Sequence, residues 1–278
     1  MTSRMGRRGL LLGAGAMGGA LLVDAVALEP RWLDVSRQRV PVRGLPASLR
    51  GLTLAQVTDA HLDRLGWLQD SIVAAVQRES AQLVVLTGDI VEHPSKLGVL
   101  TEFCRALVAT GASVFGTPGN WEHWGGVSLD ALGAAYQRAG ARLLVNENLV
   151  TGGVTLAATD DGLVGAARFA RALSGVGGSG SDVALRLLLT HSPAVLDSVA
   201  ASAAPPRFAL TLAGHTHGGQ VRLGSIAPLL PPGSGRFVMG WYQTAFGATY
   251  VSRGTGTSVA PVRFNCRPEL PVFRFDAE

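Results

Sequence analysis

The residues of this 278-residue chain best suited to chemistry are Asp59, His61, Asp89, Asn120, His191, His215 and His217. Each stands at or just beyond the end of a short apolar run. Together they offer two carboxylates, one amide oxygen and four imidazoles. Imidazole and carboxylate ligands suit Mn, Fe and Zn, and no thiolate joins the set to draw softer metals. Seven ligands are too many for one ion and about right for two, with Asp89 placed to bridge both. Two ions roughly 3.5–4 Å apart clamp phosphoryl oxygens, and coordination lowers the pKa of water from about 15.7 to about 7. In-line attack of a metal-bound hydroxide on a phosphate ester is the reaction this set suits. The densest stretch is Ala213-Gly214-His215-Thr216-His217-Gly218-Gly219-Gln220, where glycines let the backbone turn sharply beside two histidines.

Strand ends must bring these residues together. Residues 52–57, 83–86, 113–115, 185–189 and 208–212 are short apolar runs that read as strands. Residues 67–76, 96–109 and 129–138 between them have helical periodicity. That alternation is the α/β signature, and ligands gather at the carboxyl ends of the strands in such sheets. The second half reads as richer in β structure: strands at 154–158, 249–252, 262–264 and 272–275, helices at 166–173 and 194–203, and a small-residue linker at 175–180. A second sheet packed on the first is expected. There is no internal repeat, no Gly-x-Ser-x-Gly elbow and no Walker-type loop, so acyl-transfer hydrolase and NTPase readings lack support.

The net charge is +4, but residues 1–50 hold eight arginines against three acidic residues. The remaining 16 basic and 17 acidic residues nearly cancel, which argues against a nucleic-acid binder. The N-terminus reads instead as a targeting segment. Arg4, Arg7 and Arg8 precede an uncharged run at 9–23, too short and too rich in Gly and Ala for a comfortable membrane span. Arg7-Arg8 resembles a twin-arginine export signal, and Ala25-Val26-Ala27 offers a small-x-small cleavage site. Residues 1–27 are therefore expected to be a signal or an N-terminal anchor, with removal and retention both open, and 28–278 the working domain in an exported, extracytoplasmic setting. Cys104 and Cys266 read as buried free thiols.

Asp59-x-His61, Gly88-Asp89, Gly119-Asn120, His191 and Gly214-His215-x-His217, in this order, resemble the calcineurin-like metallophosphoesterases over roughly residues 51–278. Residues 214–220, 250–254 and 261–269 look most like the exported or membrane-associated YkuE/YaeI-like bacterial branch. The resemblance implies a metal-dependent phosphoric ester hydrolase with a four-layer α/β/β/α sandwich of two mixed β-sheets, the metallo-dependent phosphatase fold. It implies that Asp59, His61, Asp89 and His217 hold one divalent ion, and Asp89, Asn120, His191 and His215 the other. The expected substrate is a phosphodiester or pyrophosphate, small or carried on a lipid or a nucleotide-sugar lipid.

One departure matters. The family usually has His after Gly-Asn, where it binds phosphate and can protonate the leaving group; this chain has Trp121. A positioned general acid is worth about 10²–10⁴-fold. Three readings are open: His123 supplies the proton by another path, the leaving group needs none, or the domain mainly binds a phosphorylated ligand with little turnover. A structural domain with a merely solvated histidine cluster is the remaining alternative, and bound metal separates it from the others. Among lesser candidates, His93 reads as solvent-facing, Asp160-Asp161-Gly162 as a turn, and Arg253 as a salt-bridge partner. Trp67, Trp121, Trp124 and Trp241 are candidates for an apolar rim suited to an acylated substrate.

Overall fold

The computed structural model describes residues 19–176, 185–200 and 205–278. The twin-arginine stretch and most of the 175–180 linker lie outside the described residues, as does the end of the helix expected at 194–203.

Twelve strands form two six-stranded sheets among the described residues. The first sheet takes β1 (Asp34–Val42), β12 (Glu269–Ala277), β2 (Thr53–Val57), β3 (Leu83–Thr87), β4 (Ser113–Thr117) and β5 (Arg142–Leu143), in that spatial order. The second takes β10 (Gly240–Thr244), β11 (Gly247–Val251), β9 (Phe208–Ala213), β8 (Leu185–Leu189), β7 (Val154–Ala158) and β6 (Glu147–Thr151). Both are mixed: β12 runs antiparallel to β2 in one, and β6 and β10 run antiparallel to their neighbours in the other.

The burial patterns follow from the layering. Every residue of β3 and of β7 is buried, with no polar–apolar alternation, because both faces of each sheet are covered. Helices α1 (Trp67–Arg78), α2 (Leu97–Val108) and α4 (Leu129–Arg138) cover the outer face of the first sheet. In α2, Leu100, Phe103, Cys104 and Leu107 recur at helical spacing and are all buried. Burial alone pushes the Cys104 thiol up to about 12, and both cysteines are free. Short helices α5 (Phe169–Ala172) and α6 (Ala194–Ala200) cover the second sheet through Phe169 and Leu196. A third apolar layer, with Leu54, Val85, Leu187, Leu210 and Phe273, fills the space between the sheets. The result is an α/β/β/α sandwich.

Three differences from the sequence reading have physical causes. Residues 262–264 do not form a strand; Phe264 makes only an isolated bridge to Val221. The fully buried Arg263 guanidinium donates to carbonyl oxygens of Arg253, Gly254, Gly256 and Cys266, which winds the chain into a loop. Strands β1, β6 and β10 were not expected, because only partial burial at sheet edges shapes them and their sequences carry no clean period. The helix expected at 166–173 shortens to α5.

The chain enters through a helical segment at 19–31, including a π turn over Asp24–Leu28. Ala25 O accepts from Arg263 N at 2.9 Å, and the buried Glu29 carboxylate accepts the backbone N–H groups of Asn265 and Cys266. Among the described residues no helix is long and apolar enough to cross a membrane.

Phe273 packs edge-on against Tyr250 and Trp241 in the layer between the sheets and is wholly buried. Phe273→Ala is expected to cost about 3–5 kcal/mol, read from the urea unfolding midpoint. A cost under about 1 kcal/mol would show that this layer closes over the lost ring.

Candidate metal centre

The ligand-type residues come from the carboxyl ends of strands in both sheets. Asp59 and His61 follow β2, Asp89 follows β3, and Asn120 opens the short helix α3 (Asn120–Trp124) after β4. His191 follows β8, and His215 and His217 follow β9. Packing one sheet on the other makes these two sets face each other. The local backbone is unusual. Asp59, His61, Asp89, His215 and His217 all have positive φ, between 43° and 74°, although none is glycine. Such conformations are costly for residues with a Cβ and persist only where surrounding contacts enforce them. The chain also comes close: a Cβ on Gly214 would lie 2.5 Å from Asp59 Oδ2.

Two groups of donors result. Asp59, His61 and His217 form one, and Asp89, His191 and His215 the other; within each, the ligand atoms all lie within 4.8 Å of one another. In the first, His61 Nε2 is 3.1 Å from His217 Nε2, and His217 Nε2 is 3.5 Å from Asp59 Oδ1. In the second, His191 Nε2 is 3.0 Å from Asp89 Oδ2. Asn120 Oδ1 joins it, 3.0 Å from His191 Nε2 and 2.7 Å from His215 Nδ1. The structure thus brings all seven of these sequence candidates together.

The electrostatics are those of a site in need of positive charge. Burial pushes the Asp59 carboxyl up to about 6, and Asp89 adds to the rise against the pull of His191 and His61. Against burial, His191 holds Asp89 low through its charge and hydrogen bond, and Asp89 in return holds His191 well above the ordinary imidazole value. Burial and the charge of His191 drive His215 down to about 4. Burial and His61 drive His217 well down. Two imidazole nitrogens 3.1 Å apart, with a carboxylate beside them, need a shared proton or cation to avoid lone-pair repulsion. His217 Nδ1 is buried without a hydrogen-bond partner. The donor set fits divalent ions bound by oxygen and nitrogen.

Outer contacts fix three of the rings. His61 Nδ1 meets Glu92 Oε1 at 2.6 Å, His191 Nδ1 meets Thr87 O at 2.8 Å, and His215 Nε2 meets Pro232 O at 2.6 Å. Each contact leaves the opposite ring nitrogen facing the cluster, an arrangement typical of ligating histidines.

Sequence reasoning missed Glu122. Its buried carboxylate accepts N–H bonds from Asp89, Ile90, Val91 and Gly119, at 2.7 to 3.1 Å. It therefore clamps the turn carrying Asp89 to the start of α3. Burial and then Asp89 raise its pKa. A glutamate three residues after the Gly119 N-cap is a capping-box signal and could have exposed it.

The remaining candidates are placed as follows. His123 does not join the cluster: its Nε2 is bound 2.7 Å from Asp160 Oδ1, and it does not line the cavity over the ligands. That hydrogen bond raises the His123 pKa. Asp160 and Asp161 are more than a turn. Both are buried, and Asp161 accepts from Ser192 Oγ at 2.5 Å beside His191. Trp67 and Trp241 also stand away from the cavity; Trp241 Nε1 donates to Gln38 instead. Arg253 forms salt bridges to Asp34 and Glu269, and the exposed His93 caps a turn by accepting from Ser95 N.

Trp121 donates its backbone N–H to Asp89 Oδ1 at 2.8 Å, and its ring stands edge-on to His61 and Trp124. It forms one wall of a cavity of about 550 Å³. Asp89, Asn120, His215 and His217 lie at the polar end of this cavity, and Trp124, Leu229 and Val259 along its apolar walls.

No family model matches the chain. It is 30% identical to the uncharacterized metallophosphoesterase YkuE of Bacillus subtilis (strain 168), over 97% of each chain. It is 30% identical to the phosphodiesterase YaeI of Escherichia coli (strain K12), over 88% of each. A dimetal phosphatase from Danio rerio aligns with a TM-score of 0.45 at 14% identity, over 76% of this chain and 90% of its own. The chain belongs to the metallophosphoesterases, the metal-dependent phosphoric ester hydrolases whose fold and donor set it carries.

Glu92 is 41% exposed at the side chain, so its removal leaves the core intact while freeing His61 Nδ1. Glu92→Ala is expected to weaken Mn²⁺ binding about 10–100-fold in calorimetric titration, with little change in thermal stability. Unchanged affinity would mean that Glu92 does not orient His61.

Proposed function

We propose that the chain hydrolyses a phosphodiester or a pyrophosphate at a pair of divalent ions, Mn, Fe or Zn, outside the cytoplasm. The observation that carries this is geometric: two donor groups, with Asn120 joining the second, both reach one cavity, the first through His217 and the second through Asp89, Asn120 and His215. When bound, two such ions would supply hydroxide at neutral pH and neutralise phosphoryl oxygens. Asp59, His61 and His217 would hold one ion; Asn120, His191 and His215 would hold the other; Asp89 would reach both. Asn120, besides its ligand oxygen, would offer its amide N–H to the substrate phosphate.

Trp121 narrows the substrate. It offers no titratable proton beside the ligands, and the nearest alternative, His123, is engaged by Asp160. A leaving group stable as an anion, as in a pyrophosphate or an activated ester, needs no side-chain acid. The apolar walls suit a lipid or a nucleotide-sugar lipid as the carrier of that phosphate. Export by the twin-arginine route and removal or retention of the leader are part of the same reading, supported by Arg7-Arg8 and the uncharged run after them. The missing acid also supports a second reading, a metal-dependent phospho-ligand binder with little turnover.

Turnover separates the two. With Mn²⁺, the protein is expected to hydrolyse bis-p-nitrophenyl phosphate, and Asp89→Asn to lower kcat at least about 100-fold, more than loss of an outer contact. Bound metal with no diester or monoester turnover would favour the binder, and failure to bind metal would overturn both. Trp121→His is expected to raise turnover of alkyl esters, which leave poorly, by about 100-fold, the lower end for a positioned acid, with p-nitrophenyl esters little changed. Equal effects on both ester types would remove the leaving-group argument.

A further inference from the structure

A row of polar contacts joins the two sheets, one for each of three strand pairs. Strands β2, β3 and β4 lie side by side in the first sheet, and β9, β8 and β7 in the second. Gln56 Nε2 on β2 donates to Ala213 O on β9 at 3.0 Å. Thr87 O on β3 meets His191 Nδ1, just after β8, at 2.8 Å. Thr117 Oγ1 on β4 donates to Thr159 O, just after β7. All of these residues are buried. Asp59, Asp89, Asn120 and His215 each follow a member of this row within three residues, and His191 belongs to it.

Gln56 is the costly member. Its side chain is wholly buried and lies on the same face of β2 as Leu54, which packs in the layer between the sheets. The same Nε2 also donates to Thr87 Oγ1 at 2.8 Å, so one side chain reaches both β3 and β9. The amide cannot be turned round, because its oxygen would then face the Ala213 carbonyl oxygen. In the orientation that its two donated bonds require, Oε1 has no hydrogen-bond partner among the described residues. A buried amide oxygen left unpaired destabilises a fold. An apolar side chain of the same length would fill this space without that cost.

What the two bonds fix is the spacing of the strands where the ligands leave them. Asp59 and His61 follow β2 and His217 follows β9, so the first donor group is split between the two strands that Gln56 joins. The chains abut there: His215 N donates to Asp59 Oδ1 at 2.9 Å, and Gly214 has no room for a Cβ beside Thr58 Oγ1. The second donor group has its own tie across the sheets, from His191 to Thr87 O.

We propose that Gln56 is a positioning residue for the metal centre. Through Ala213 O and Thr87 Oγ1 it holds the ends of β2 and β9 at the separation that Asp59, His61 and His217 need, before metal arrives and to the detriment of stability. The role toward ions rests on the two-ion reading above; the spacing of the strands does not.

The test compares the full chain with Gln56→Met, an unbranched apolar side chain of similar length. Ala213 O keeps its bond from Ser252 N in that variant. Without metal, the variant is expected to have a urea midpoint no lower than that of the unaltered protein. Its His215 amide hydrogen is nevertheless expected to exchange at least about tenfold faster, because that N–H bridges the ends of β9 and β2. In calorimetric titration with Mn²⁺, one of two ions is expected to bind at least about tenfold more weakly, and the other to change less than about threefold. A lowered midpoint, or exchange quickened throughout the strands, would make Gln56 an ordinary structural residue and overturn the proposal. Unchanged exchange at His215 would overturn it too. So would two Mn²⁺ affinities that stay as they are in the unaltered protein or that fall together. If the unaltered protein binds fewer than two Mn²⁺ while exchange at His215 still quickens in the variant, the positioning role stands and the two-ion reading falls.

Discussion

The structure turns on one electrostatic problem. Four imidazoles, two carboxylates and an amide are packed at the ends of strands from two sheets, nearly all of them out of water. Buried charge is costly unless it is paired and hydrogen-bonded. Here pairing within the cluster is incomplete, because several of the closest contacts are between lone-pair donors: nitrogen to nitrogen at 3.1 and 3.3 Å, and amide oxygen to nitrogen at 2.7 Å. Divalent ions complete it. Positive φ at five of the ligand residues is the conformational cost of aiming them inward.

That cost is met by polar groups just outside the cluster. Glu122 gathers four backbone N–H groups and fixes the Asp89 turn. Arg263 does the inverse on the other side. Its guanidinium faces carbonyl oxygens and no carboxylate, and burial lowers its pKa. The loop it shapes lies on the Asp59 backbone, with Thr255 N donating to Thr58 O and Gly256 N to Asp59 O. One buried anion thus organises donors and one buried cation organises acceptors. Both act on the turns that carry ligands, and both are satisfied by backbone, which cannot rotate away.

Legibility in the sequence followed the range of the signal. Asp59, His61, Asp89, Asn120, His191, His215 and His217 stood out because each ends an apolar run, and a buried parallel strand is such a run. The long helices were readable from their periodicity. Asp160 was not, since an acidic residue in a polar loop reads as solvated until tertiary contacts bury it, and Glu122 carried only the local signal of a helix cap, which does not announce its hold on the Asp89 turn. His123 looked available because it is two residues from Trp121; the turn of α3 and the burial of Asp160 send it elsewhere. Residues 262–264 have a strand's composition, but the Arg263 side chain captures carbonyls from four other residues, and no local pattern announces that.

Trp121 ties the chemistry to the surface. Its backbone N–H supports Asp89, so the position is needed whatever its side chain does. The indole then packs edge-on against His61 on one side and Trp124 on the other, joining the ligand cluster to the apolar wall without a polar break. A histidine there would interrupt that wall with a polar ring. The indole carries no titratable proton and forms an apolar wall of the cavity beside the ligand cluster. In the function proposed above, the absence of a side-chain acid and the apolar wall favour the same kind of substrate: one with a leaving group that departs unaided and a body that prefers oil to water.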